Sequence, residues 1–469
     1  MIHDWLSIIR CCLGQPTEYR IEQLCDNWRM SFIKQSLRWL LRLDVPFETL
    51  NSAEAETYRD RHFRWNYLFN SLDVICFMGS ISLLSATTIL PLFISKLTDN
   101  TIPLALTAIL AQAGFFLPQL FTSNFIERLD RKKPVVTNLG FLTERLPAIL
   151  LVGAGAAAYW SSTLALILFL FFFAWFNLGG GIIATAWQDL IARCFPVNWR
   201  GRFFGGNMFL GTAIGVGAAS LAGVVLEQFA FPLNFIIIFG MAAIGINLSW
   251  GALLLVREPV EKSIVPRRST TEYLRELPNV LRNDLNFRNF LIARFVLAIA
   301  EMGSGFLTVA AIQQWAIADS MVASFTTASL VGQTIASLIM GVLADRYGHR
   351  LSLEVSAVAA TLAFGAAWFA PDPSWYLPVF FLLGYFTGAR IVSGTLVVME
   401  FCVPEKRPTY IGLASTITGI GSAIAPLIGV GLVEIGFDWA FAASTLTSLT
   451  ALLMLRYWVR EPRFEEINV

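Results

Sequence analysis

The feature that most constrains this chain is a recurrence of apolar runs, each about 20 residues long, the length one helix needs to cross hydrocarbon at about 1.5 Å per residue. They fall near 70–95, 102–126, 135–158, 162–186, 203–226, 234–256, 288–314, 322–344, 351–370, 376–399, 409–433 and 438–458. Only 14% of the 469 residues are charged and 56% are hydrophobic, whereas a soluble domain carries roughly a quarter charged residues. That apolar excess needs lipid as its solvent. The alternating ten-residue pattern of a membrane barrel is absent, so the spans read as helices. The expected fold class is an all-α membrane protein with twelve transmembrane helices.

The placement of charge tests that count. Assigning the connecting segments alternately to two sides puts thirty of the 34 Lys and Arg residues on the side of the N-terminus. Lys96 alone lies on the other side, and Arg145, Arg294 and Arg390 lie within spans. A wrong number of spans would scramble this alternation. By the positive-inside rule the basic side is cytoplasmic and holds both termini, and the expected location is the plasma (inner) membrane. A net charge of +1 argues against a nucleic-acid partner. No signal peptide is expected at the N-terminus. The six cysteines fall in cytoplasmic segments or within a span, so no disulfide is expected. His3, His62 and His349 are scattered without metal-site spacing, and no metal or other cofactor is expected. There is no phosphate-cradling Gly-x-x-x-x-Gly-Lys-Ser/Thr loop, so neither ATP drive nor enzymatic chemistry is expected.

The chain divides into two related halves. Asn66-Tyr67-Leu68 matches Asn289-Phe290-Leu291, Glu127-Arg128-Leu129 matches Asp345-Arg346-Tyr347, and Cys194-Phe195-Pro196 matches Cys402-Val403-Pro404, in the same order. Six spans per half is even, so the halves share orientation and form a parallel repeat. The expected domains are a cytoplasmic N-terminal extension over 1–65, a six-helix bundle over 66–256, a cytoplasmic linker over 257–287 with a short surface helix from Thr270 to Arg288, and a second bundle with its tail over 288–469. Within the extension, Ile21 to Leu43 spaces Leu24, Trp28, Phe32 and Leu40 as an interfacial amphipathic helix. Asn51–Arg64 reads as a polar helix leading into the first span.

The segment Gly341-Val-Leu-Ala-Asp345-Arg346-Tyr-Gly348-His-Arg350, between spans 8 and 9, resembles the signature loop of the major facilitator superfamily, Gly-x-x-x-Asp-Arg-x-Gly-Arg/Lys-Arg/Lys. The likeness runs from about Asn66 to Arg460. The first-half copy is degraded: Ser123 and Asp130 stand where glycines are usual, and Glu127, beside Arg128, replaces the aspartate. The resemblance implies two pseudo-symmetric six-helix bundles with a central cavity lined by spans 1, 4, 7 and 10. In the signature loop Gly341 permits close helix approach, Asp345 accepts from a helix start, and Arg346 and Arg350 can reach carboxylates on the facing bundle as a latch. Span 5 has no proline and span 4 no arginine, unlike the family's drug antiporters.

An ionisable side chain at membrane depth is a functional hypothesis by default. Asp73 in span 1, Arg294 and Glu301 in span 7 and Arg390 in span 10 sit on the implied cavity-lining helices, and span 4 adds Asn177 and Gln188. Arg294 and Arg390 are candidates to bind an anionic or polar solute, and Asp73 and Glu301 to exchange a proton or cation. The competing reading pairs Asp73 with Arg294 and Glu301 with Arg390 as structural bridges. Glu144 and Arg145 are expected to point to different faces and pair with neighbouring helices. Glycines of spans 5 and 11 are expected at tight crossings over the seam, with Pro426 bending span 11. The expected activity is secondary transport of a small solute by alternating access, coupled to protons, by a monomer. The alternatives are a non-transporting assembly or sensor protein, and a lipid translocator.

Overall fold

The computed structural model describes residues 48–127, 129–260, 281–394, 396–402 and 407–462, with a few isolated positions before 43. The expected amphipathic helix of the extension and most of the linker lie outside the described residues. Met1–Thr49 forms one compact unit and Leu50–Val469 another; the account below concerns the second.

Among the described residues, twelve helices are long and apolar enough to cross a membrane. They are α1 (Ser52–Ile81, resumed at Ile89–Ser95), α2 (Ile102–Glu127), α3 (Val135–Leu139 and Phe141–Arg145, both π-helical, running into Leu146–Ala157), α4 (Ser162–Cys194), α5 (Val197–Gln228), α6 (Leu233–Leu255), α7 (Leu285–Ile299, Ala300–Phe306 and Leu307–Trp315), α8 (Asp319–Tyr347), α9 (His349–Trp368), α10 (Tyr376–Gly394), α11 (Arg407–Val433) and α12 (Phe437–Tyr457). The polar stretch after Asn51 is not a separate helix: it is the first part of α1. Asn51 accepts from the Glu54 backbone at 2.9 Å and Glu54 accepts in return, a capping box that starts the helix.

Outward faces carry exposed apolar side chains such as Ile167, Phe171, Ile244, Leu248, Leu362 and Leu446, the surface lipid requires. Aromatic side chains crowd both ends. Trp65, Tyr457 and Trp458 stand at the basic end, and Tyr159, Trp160, Trp375 and Trp439 at the other. Amphipathic rings settle at the headgroup level in this way.

The two halves repeat one frame at the basic end. Asn66 donates to the Arg257 carbonyl and accepts from the Arg257 N–H, both at 2.9 Å. Asn286 does the same to Arg460, at 3.1 and 2.8 Å. The residue equivalent to Asn66 is therefore Asn286, three positions before the expected Asn289, which donates to the Trp458 carbonyl instead. Glu258 accepts from the backbone N–H groups of Lys132 and Lys133, at 2.7 and 3.0 Å. Glu461 accepts from the N–H of Arg350 at 3.0 Å. Each half thus ties the end of its last helix to its own third-helix start and first helix. Burial pushes the Glu258 carboxyl above its ordinary range, while those two N–H groups and Arg193 pull it back.

Within each bundle glycines set the closest crossings. A Cβ on Gly384 of α10 would lie 1.7 Å from the Ser329 carbonyl of α8, and one on Gly179 of α4 would lie 1.7 Å from the Thr143 carbonyl of α3. The glycines of α5 and α11 mostly serve their own halves: Gly211 meets Met78, Gly421 meets Ala298, and Gly429 meets the Met302 carbonyl. Among the described glycines of those two helices, Gly215, Gly223 and Gly419 face residues across the seam, Leu330, Ala323 and Phe116. Gly341 packs against nothing within 4 Å, so the close approach expected there does not occur in this conformation.

Candidate functional site

The seam between the halves is joined from the end opposite the basic segments to mid-membrane. Lys96 pairs with Asp319 at 2.8 Å. Thr88 bonds Thr326 at 2.6 Å, Thr308 donates to the Thr87 carbonyl at 2.7 Å, and Thr334 donates to Thr212 at 3.0 Å. One apolar core follows these contacts, running from Leu84, Phe93 and Phe239 of the first half into Phe306, Val322 and Ala440 of the second. Towards the basic end, Gly205 and Gly206 of α5 and Gly341 of α8 face open space within 4 Å.

Both halves break their first helix where the seam closes. In α1, a 3-10 turn at Ser82–Leu84 interrupts the helix, and the Ser82 hydroxyl donates to the Gly79 carbonyl at 2.6 Å. In α7, Ala300–Phe306 is a 3-10 run containing Gly303, Ser304 and Gly305. Glycine and serine are weak helix formers, and non-helical backbone at this depth is tolerated where protein buries it or a cavity lines it. Ser304 donates to the Glu301 carbonyl at 2.8 Å, and Ser444 of α12 accepts from the Gly303 N–H at 3.1 Å.

Glu301 lies in that broken segment. Its carboxylate meets the Arg390 guanidinium of α10 directly, and both side chains keep some exposure, at 17% and 18%. The Phe386 ring lies beneath Arg390, 5.0 Å away. Glu301 also lines a cavity of about 50 Å³ between the halves, with Thr87 of α1, Gln112 of α2, Ser304 of α7, and Ser422 and Pro426 of α11. Ser422 is 5% exposed and its hydroxyl has no hydrogen-bond partner. A cavity of that size holds a few waters or one small polar group.

Arg294 lies elsewhere in the second half. It donates to Thr418 of α11 at 2.8 Å and to the Gly394 carbonyl of α10. It shares a second cavity, of about 10 Å³, with Arg390. Asp73 does not meet Arg294. It is 2% exposed and accepts from Ser249 of α6 at 2.6 Å and from the indole N–H of Trp187 of α4 at 2.7 Å. Glu144 and Arg145 do not diverge to neighbouring helices; they meet each other, both almost fully buried. The π-helical turn over Phe141–Arg145 is wider than an α-turn, which lets adjacent side chains turn together. Arg145 also stands over the Phe77 ring of α1 at 5.9 Å. Asn177 donates to the Phe173 carbonyl of its own helix at 2.8 Å and abuts Gly114 of α2. Gln188 is exposed.

The signature loop is tied within its own half. Arg350 bonds Glu354 at 2.7 Å, one turn along α9, and donates to the Arg456 carbonyl at 2.8 Å. Gly348 adopts φ +94°, where an L side chain is strained, and Glu461 occupies the space a Cβ would take. Arg346 is exposed. The expected bridges from Arg350 to the facing bundle are thus replaced by nearer carboxylates. The Asp345 and Glu127 side chains and all of Arg128 lie outside the described residues. In the first half the corresponding tie is Lys132, bonded to Asp189 at 3.2 Å, and Arg193, which reaches Asp189 at 3.4 Å and Glu258 at 3.6 Å. Burial pulls the Lys132 ammonium below its usual range, and Asp189 opposes that.

The polar partners Ser249, Trp187, Thr418, Ser422 and Gln112 were not picked out by sequence reasoning. A polar side chain within an apolar span was their one signal, since each lies on a different helix from the charge it accompanies. The Glu258 and Glu461 ties had a plainer one: Val256-Arg257-Glu258-Pro259 recurs as Val459-Arg460-Glu461-Pro462.

A family model described as Major Facilitator Superfamily matches residues 290–469. The niacin transporter NiaP of Acinetobacter baylyi is 22% identical over 171 residues, covering 35% of this chain and 39% of that protein. A putative niacin/nicotinamide transporter NiaP of Bacillus subtilis is 26% identical over 166 residues, covering 35% of this chain and 41% of that protein. The matched region thus spans about two fifths of these curated relatives. The crystal structure of a D-xylose-proton symporter superposes with a TM-score of 0.62 over 85% of this chain and 98% of that one, at 14% identity. The family match thus covers the second half of the chain, and the solved symporter shows that the chain shares its fold.

Proposed function

We propose that the protein is a secondary transporter that moves a small polar solute across the membrane by alternating access, with proton exchange at Glu301. One observation carries this reading: hydrogen bonds and an ion pair hold the seam at one end, and Glu301, paired with Arg390, lines a cavity just beneath that closure. Hydroxyl–hydroxyl bonds such as Thr88 to Thr326 and a surface pair such as Lys96 to Asp319 are individually weak. They can part without unfolding either bundle, so rocking one bundle against the other would expose the cavity to the opposite side. Glu301 can hold a proton when Arg390 turns to the solute and release it when the pair reforms. By the positive-inside rule the parted end faces the cytoplasm, with both termini on that side and the plasma membrane as the site. The weak likeness to niacin transporters places small aromatic acids and amides in the first probe set.

The test is reconstitution of the full chain into sealed liposomes, with uptake measured for a panel of small acids, amides, sugars, nucleosides and amines, with and without a proton gradient. Uptake of one solute class that rises with the gradient supports the proposal. No uptake in any class defeats it. Uptake in Glu301→Gln that keeps its proton dependence removes Glu301 from coupling but leaves transport standing.

A second reading, lipid translocation, has one observation in its favour. A groove of about 700 Å³ lies between α5 and α8 away from the basic end, lined by Ser220, Glu227, Ser320, Ser324 and Thr327. Transfer of labelled phospholipid between leaflets of the same liposomes, with no solute uptake, would select it.

A further inference from the structure

The deep charges of the two halves do not balance, and the imbalance has opposite sign. The first half buries Asp73, Glu144 and Arg145, a formal charge of −1. The second holds Arg294, Glu301 and Arg390, a formal charge of +1. In each half one ion pair forms, Glu144 with Arg145 and Glu301 with Arg390. Of the remaining charges, Asp73 bonds Ser249 and Trp187 within the field of Arg145, whereas Arg294 is left to the neutral dipoles of Thr418 and the Gly394 carbonyl. A guanidinium has five N–H donors and cannot shed its charge. An excess positive charge beside a pair that opens on a cavity is therefore a standing demand for an anion.

We infer that the transported solute is an organic monoanion, whose anionic group docks on Arg390 beside Arg294 while its body enters the cavity between α1, α2, α7 and α11 as the bundles part and widen it. This inference rests on the transport reading above and specifies its substrate class. Three observations converge. Arg294 and Arg390 border one small cavity, so a single anion on Arg390 lies within the field of both guanidiniums. Arg390 keeps 18% exposure at its pair with Glu301, whereas the Glu144–Arg145 pair is closed off at 3% and 6%, so of the two pairs the second-half one is open to exchange of one carboxylate for another. The Ser422 hydroxyl, buried and without a partner, lines the cavity with Gln112 and Ser304 and supplies the polar contacts a solute body needs. Glu301 and the solute anion then compete for Arg390. Binding of the anion releases Glu301, which takes up a proton as its guanidinium partner is lost.

The competition yields opposite predictions for neighbouring residues. Thermal unfolding of the purified full chain is followed with nicotinate, benzoate and lactate, and with nicotinamide, benzamide and lactamide at equal concentration. At least one carboxylate raises the unfolding temperature and its own amide does not. In Glu301→Gln, which leaves Arg390 free, that carboxylate acts at about 5-fold to 10-fold lower concentration, and in Arg390→Gln its effect is lost. Arg390→Lys keeps the charge and restores part of it. Should Arg390→Gln fail to fold, the double variant Glu301→Gln with Arg390→Gln, which buries no lone charge, takes its place. Equal stabilisation by acids and amides, or an unchanged response in the Arg390 variants, overturns the inference. Liposomes that move the neutral amides but not the acids overturn it and leave the transporter standing. Liposomes that move neither set, nor any other solute of the wider panel, defeat both.

Discussion

The first and second halves share one frame and bury different chemistry in it. Asn66 and Asn286 make the same reciprocal bonds to Arg257 and Arg460, and Glu258 and Glu461 accept from the starts of α3 and α9. Both halves break their first helix near the closed end of the seam. Yet the first half seals its ion pair among α1, α3 and α4, where Gly180 leaves room for Glu144, while the second half pairs Glu301 of the helix break, against a cavity, with Arg390 of α10. The frame depends on backbone groups that each bundle must satisfy for itself, so it is repeated. On the transport proposal the charges answer to whatever passes between the bundles, so each half can carry its own.

Removing one arginine at a time tests that contrast most strongly. Arg145→Ala strands Glu144 in the core, and Arg390→Ala strands Glu301. Loss of one partner of a buried pair costs about 3–5 kcal/mol, and the more exposed Arg390 site should fall at or below the lower figure. Chemical denaturation in detergent reads both. The double variants Glu144→Gln with Arg145→Gln and Glu301→Gln with Arg390→Gln should recover most of that stability, but only the first should retain transport. Equal transport in both would erase the functional distinction between the pairs.

Glycine contacts give the next largest effect and should treat the halves alike. Gly179→Ala and Gly384→Ala each force a carbonyl 1.7 Å from the new Cβ to move, costing on the order of 2 kcal/mol. Gly341→Ala meets nothing and should change stability by less than about 0.5 kcal/mol. A clear loss in Gly341→Ala would mean that the signature loop packs tightly in another conformation.

The seam closure comes third. Lys96→Ala breaks an exposed pair worth about 0–1 kcal/mol, too little to unfold either half. It should instead raise thiol labelling of a Thr326→Cys variant from the end opposite the basic segments. Unchanged labelling would show that the Lys96–Asp319 pair does not help to close the seam.

The smallest effect belongs to the first half. His62 hydrogen-bonds Arg257 at 3.1 Å, and burial, with the Arg257 charge, lowers its pKa below the ordinary 6.5. The folded chain then binds this proton less tightly than the unfolded one, so its contribution is complete above pH 6.5 and falls as pH drops through that value. His62→Gln should flatten the slope of unfolding temperature against pH in that window, and an unaltered slope would remove His62 from the frame.

Much of the fold was legible because hydropathy and basic-residue placement are local and additive. The twelve spans and the division into two bundles follow from run lengths and side alternation. The repeat was visible in outline, but its register near Asn66 was misplaced by three residues, since a short Asn-aromatic-Leu match carries less weight than the shared Val-Arg-Glu-Pro. The site was legible as a set of residue types and not as an arrangement. Asp73 finds Ser249 and Trp187 because those helices turn towards it, and no spacing rule links positions 73, 187 and 249. Glu144 meets Arg145 because α3 is locally π-helical, and Arg350 stays in its own half because Glu354 and Glu461 lie nearer.

By itself the sequence determined that the chain crosses the membrane twelve times, which side is basic, and that six helices answer six. Burial of about 20 apolar residues per helix outweighs any single side chain, so those outcomes are insensitive to detail. The tertiary structure alone decided which buried charges meet and which are left to neutral dipoles. That choice turns on ångström-scale approach at Gly179, Gly384 and the broken turn of α7, where a charge in low dielectric gains or loses several kcal/mol with its neighbour.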